Sequence, residues 1–110
     1  MSNLSIFINH QLAFEYDRST VLDDRQEEFI RRMERDMDPG IRIYGELIVE
    51  PDSKQKAIFV AMNLLKGLQQ EDSARIAVSC AYLCAHLPHV AEVQAMDQDG
   101  RVNIEFIEEH

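Results

Sequence analysis

Two cysteines are all the chain offers for covalent cross-linking, and both fall in one alanine-rich stretch, RIAVSCAYLCAHLPH, residues 75–89. That is no disulfide framework, and it fits a reducing, cytoplasmic compartment. Long apolar runs are missing as well. The longest, Ala57–Met62 continuing through Leu64 and Leu65, falls well short of the ~18–20 residues that span a bilayer, so no membrane partner is expected. The opening MSNLSIFINHQ has neither a basic region nor a sustained apolar core, and does not read as a signal peptide. Positive charge is scarce: 11 Lys and Arg stand against 20 Asp and Glu, a net charge of −9. Such a chain repels phosphate backbones, which argues against nucleic acid as a partner. No GxGxxG, Walker loop, HExxH or GxSxG occurs, so no cofactor and no reaction class is implied. There is no internal repeat and no low-complexity segment.

What remains is an ordinary globular composition, 45% hydrophobic and 28% charged over 110 residues, read as a single domain, 1–110. The negative excess is concentrated in residues 23–38 and 89–110, with seven acids against four arginines in the first and six acids against one arginine in the second. A basic partner, if there is one, should meet those regions.

The patterning predicts an α+β fold. Leu4, Ile6 and Ile8 alternate on one strand face, and Leu12, Phe14 and Tyr16 on the next, with Asn9-His10 as the turn. A helix follows, capped by Asp23-x-x-Gln26, carrying a stripe of Leu22, Phe29, Ile30, Met33 and Met37, and stopped at Asp38-Pro39-Gly40. Residues 41–49 alternate as a strand bent at Gly45, with a short helix or loop as the other reading. Asp52-x-x-Gln55 opens a second helix, with Ala57, Ile58, Ala61, Leu64, Leu65 and Leu68 facing inward and Gly67 near its end. A short turn leads to a third helix capped at Asp72 or Ser73 and ended by Pro88, so these two helices should pack as an antiparallel pair. Two alternating segments around Asp97-Gln98-Asp99-Gly100 predict a closing hairpin, with Glu108-Glu109-His110 as a fraying end. The two terminal hairpins should form one antiparallel sheet, covered on one face by about three helices.

The most specific-looking chemistry is Cys80-x3-Cys84-x-His86-x2-His89. On a helix His86 lies about 200° around from Cys84, so four zinc ligands do not converge. Adjacent-turn cysteines also place their Cβ atoms ~5–6 Å apart, too far for a disulfide at ~3.5–4.5 Å. Both cysteines read better as small core residues. Asp36-x-Asp38 and Asp97-x-Asp99 are explained by a helix stop and a turn, and neither matches a calcium loop. One polar pattern is left. Arg75, Ser79, Tyr82 and His86 fall on a single stripe of the third helix. The plain reading is a solvent edge. The functional reading is a ligand-binding wall, with Arg75 near a helix N-terminus taking an anion and Tyr82 and His86 as deeper donors. The preferred function is therefore a non-enzymatic protein-interaction or regulatory module, acting on a protein partner or by self-association, with Phe59 and Val60 as a dimer surface. The alternative is an anionic-ligand binder or enzyme built on Arg75, Ser79, Tyr82 and His86.

Overall fold

Three tight turns in left-handed backbone fix the β framework, in a computed structural model that describes residues 3–108. Asn9-His10 (φ 50° and 68°), Tyr44-Gly45 (52° and 82°) and Asp99-Gly100 (53° and 79°) each put two successive residues at positive φ. That is the geometry whose twist suits a two-residue hairpin. They join β1 (Asn3–Ile8) to β2 (Gln11–Asp17), β3 (Gly40–Ile43) to β4 (Glu46–Val49), and β5 (Val90–Gln98) to β6 (Arg101–Glu108). Between them lie α1 (Asp24–Met37), α2 (Ser53–Gln70) and α3 (Ser73–His86). The class is α+β, with α2 and α3 packed as a helical hairpin on a four-stranded sheet. Of the expected fraying end, Glu108 is instead the last residue of β6, paired with Val90, and Glu109 and His110 lie outside the described residues.

The sheet is mixed rather than antiparallel. Its order is β2-β1-β5-β6, and the two hairpins meet at a parallel β1–β5 pair with Ile6 opposite Val93. The long helical connection returns the chain to the end of the sheet where β1 begins, so β5 must run alongside it. Asn9 extends this junction beyond β1. Its N–H donates to the Ala95 carbonyl at 2.8 Å, its Oδ1 accepts from the Asp97 N–H at 2.9 Å, and its Nδ2 donates to the Asp97 carbonyl at 3.3 Å. The side-chain amide acts as one more rung of the ladder.

Two other expectations need correction. Residues 41–49 form a hairpin and not one bent strand. Reversal at Tyr44-Gly45 splits the alternating apolar set: Ile41 and Ile43 are buried, whereas Leu47 and Val49 are 60% and 66% exposed. In β2, a register shift opposite Ile6 and Phe7 pairs Phe7 with Leu12. The bulge breaks Leu12 out of alternation with Phe14 and Tyr16, leaving it 53% exposed.

The core lies between the sheet and the α2–α3 pair. Leu4, Ile6, Val93 and Ala95 meet Ala57, Val60, Ala61 and Leu64 from α2, and Cys80 and Leu83 from α3. Val60 is fully buried there, so it is no part of a free dimer surface. The helix starts are as the sequence predicts: Asp23 with Gln26 and Asp52 with Gln55 form reciprocal capping boxes, and Asp72 accepts from the Arg75 N–H. Gly67 does not end α2, which continues to a left-handed cap at Glu71. A Cβ on Gly67 would stand 3.2 Å from Arg75 Cγ and from Ile76 Cγ1, so the glycine serves the close approach of α3.

Tyr44 is an unusual residue for a left-handed turn, a placement that costs of order 1 kcal/mol or more. Its hydroxyl accepts the Ile104 N–H at 3.1 Å. This tie offsets the strain, covers part of the exposed edge of β6, and stations the β3–β4 hairpin beside the helices.

Candidate functional site

Helix α1 meets the α2–α3 pair along two very different edges. On one edge the contact is polar. Lys56, in the first turn of α2 and 11% exposed in its side chain, donates to Glu34 Oε1 at 2.9 Å and to Asp38 Oδ1 at 2.5 Å. The Tyr82 hydroxyl donates to the other Glu34 oxygen. The His86 ring stacks on Tyr82 with centroids 4.2 Å apart, and its Nε2 lies 3.9 Å from Glu34 Oε2.

The electrostatics of this cluster are mutually consistent. Partial burial pushes the Glu34 carboxyl up, but hydrogen bonds from Tyr82 and Lys56 outweigh it and hold the group below the ordinary carboxylate value. Hydrogen bonds to Asp38 and then Glu34 raise Lys56. Burial, with the Glu34 carboxylate beside it, raises the Tyr82 phenol. At neutral pH an ionised Glu34 therefore accepts from a charged Lys56 and a neutral Tyr82. Each group is consumed in holding another, which is the chemistry of a staple.

The four predicted stripe residues are divided by this arrangement. Ser79 and Tyr82 are buried, at 0% and 2% exposure, so the solvent-edge reading fails for both. At Tyr82 it fails because Glu34 of α1 takes the hydroxyl, and nothing in the local sequence of α3 announces that partner. Tyr82 and His86 are brought together; Arg75 lies apart, near the start of α3. Its guanidinium is 3.8 Å from Asp72 Oδ2 and donates to Gln70 Oε1 at 3.5 Å. An anion at that N-terminus would have to compete with the Asp72 cap. Glu34 and Lys56 escaped the sequence reading because their partners lie 22 and 48 residues away in the chain.

The cysteines are free. Cys80 is wholly buried, and burial, with Cys84 adjacent, pushes its thiol up to about 12, far from a nucleophile's range. Burial also raises Cys84, against the opposing charge of Arg18. Among the described residues no three His, Cys, Asp or Glu side chains are placed to hold a metal ion.

On its other edge α1 stands away from the helical pair and leaves an open groove of about 970 Å³. Phe29, Met33 and Met37 of α1 form one wall. Phe59 of α2 with Ala74, Ala77 and Val78 of α3 form the other, and Gly40, Ile41 and Leu47 of the hairpin close one side. Phe29 is 48% exposed at the mouth. Arg25, Arg32, Arg42 and Arg75 also reach the groove, against Asp36 and Asp72. Of the four stripe residues only Arg75 lines it. In the sequence Met33 and Met37 read as core, which Met37 is, and nothing there shows that Phe29 on the same stripe is left open.

Comparison with protein-family models, with curated proteins and with solved structures finds no match to this chain. Nor is any helix among the described residues long and apolar enough to cross a membrane.

Proposed function

We propose that this chain is a non-enzymatic protein-interaction module, and that the groove between α1, the β3–β4 hairpin and the α2–α3 pair is its binding surface. The supporting observation is the groove's lining: large apolar side chains, Phe29 and Leu47 among them, held open to solvent by a framework that buries its apolar residues elsewhere. Contiguous exposed apolar surface rimmed by polar groups marks interaction sites. Met33, half-buried beside Phe29, adds an adaptable side chain suited to a peptide, over a floor that the buried Met37 helps to form. In the titratable cluster, by contrast, Glu34, Lys56 and Tyr82 are already engaged with one another.

The test is affinity capture from native lysate with the intact chain and with Leu47→Asp, followed by mass spectrometry of bound protein and of small molecules. A stoichiometric protein captured by the first and lost by the second is expected. An unchanged protein set would overturn the reading. A small organic anion co-purifying in place of protein would move the chain to the ligand-binding class.

A further inference from the structure

Resting on that reading, we infer that the occupant of the groove is an amphipathic helical segment of another protein, carrying acidic residues beside its apolar anchors. The argument is charge complementarity against the grain of the whole molecule. The chain carries −9, yet four arginines reach the groove against two aspartates. One of those, Asp72, is already engaged as the cap of α3 and neighbour of Arg75.

Helix α1 shows the same sorting along its own length. Arg31 and Arg35, away from the groove, both pair with Glu28 at 3.0 and 3.5 Å. Arg25 and Arg32, which face the groove, have no ion-pair partner among the described residues, and nor does Arg42 across from them. Guanidinium groups beside an apolar floor are the donors best matched to carboxylates. A neutral segment would leave them unanswered, and a basic one would set like charges together. A second copy of this chain would approach against its own net charge, which disfavours self-association as the use of this surface. Two of the walls are helices, and helical segments dock between such walls through anchors at i, i+3, i+4 and i+7.

The experiment is fluorescence anisotropy with three labelled helix-forming peptides of about 15 residues. All share the same leucine anchors; the flanking positions are Glu, Gln or Lys. The Glu peptide should bind about tenfold tighter than the Gln peptide, with the Lys peptide weakest and the differences shrinking as salt rises. Arg32→Glu combined with Arg42→Glu should reverse the order. Equal binding of all three, abolished by Leu47→Asp, would overturn the acidic occupant and leave the interaction groove standing. No binding by any peptide, to a chain shown folded by NMR, would overturn both. A concentration-dependent rise in mass on sedimentation, removed by Leu47→Asp, would overturn the inference in favour of a second copy.

Discussion

The two edges of α1 differ in what they do with their polar and apolar groups. On the Lys56 edge, charges are turned inward and paired, and the helix is drawn tight against its neighbours. On the Phe29 edge, Phe29 and Leu47 are left open, and Arg25, Arg32 and Arg42 have no ion-pair partner among the described residues. A helix held only by an apolar stripe would close over both edges, because burial is favourable wherever it is reached. Here the cross-links at Glu34 and Asp38 fix where α1 sits, and the groove is what that fixed position leaves uncovered. The staple and the proposed binding surface thus lie on opposite edges of one element, and substitutions should separate them.

The sharpest way to break the staple is Lys56→Ala. It leaves Glu34 and Asp38 facing each other without their cation. Lys56 is largely buried but Glu34 and Asp38 are 36% and 59% exposed, so the cost falls short of the ~3 kcal/mol of a fully buried pair and is expected at about 1–2 kcal/mol. Chemical denaturation measures it, and a loss below about 0.5 kcal/mol would show that α1 is held by other contacts. Overpacking tests the layer beneath. Ala81, 4% exposed, sits among close-packed neighbours, and Ala81→Leu should cost about 1–3 kcal/mol.

How much of this contrast was legible in the sequence can be judged residue by residue. The caps at Asp23, Asp52 and Asp72 were, because a capping carboxylate acts on backbone a few residues away. So was the turn at Asp99-Gly100, whose residue types suit positive φ. The parallel β1–β5 junction was not: two hairpins can join either way, and the choice is made by the path of three helices between them. Tyr44 as a turn residue was hidden because its compensation, the Ile104 N–H, comes from 60 residues away. Arg75, Ser79, Tyr82 and His86 were read as one stripe of α3, a solvent edge or a binding wall, and neither reading anticipated that Ser79 and Tyr82 are buried. The partner of Tyr82 was hidden because α1 supplies it. The groove was the least legible feature, because periodicity marks an apolar face without saying whether anything covers it.

Acid and alkali sharpen the comparison further. Glu34 is held below its unfolded value, so it contributes stability that is present above about pH 4.3 and lost as pH falls through its folded value. Lys56 and Tyr82 are both raised. Their contributions are complete below about pH 10 and decline as pH rises beyond it. Glu34→Gln should flatten the acid limb of a plot of unfolding free energy against pH. Tyr82→Phe should cost about 1 kcal/mol at neutral pH and remove part of the alkaline limb, leaving the part due to Lys56. If both variants keep the wild-type profile, the cluster is not what couples this fold to pH.

The smallest effect on stability is expected at the groove, and there the small size is the point. Phe29 and Leu47 are 48% and 60% exposed, so polar replacements bury nothing new and open no cavity. Phe29→Ser and Leu47→Ser, each giving up only the covered part of the side chain, should each cost about 1 kcal/mol or less. Leu47 is in a two-stranded hairpin, where a serine also gives up some strand preference. The same two substitutions should remove most of the binding of an apolar peptide, because exposed anchors contribute where the partner covers them and nowhere else. Denaturation and anisotropy on the same samples make the comparison. A large loss of stability at either position would mean that the groove is closed in solution by its own walls, and that the two edges of α1 are alike after all.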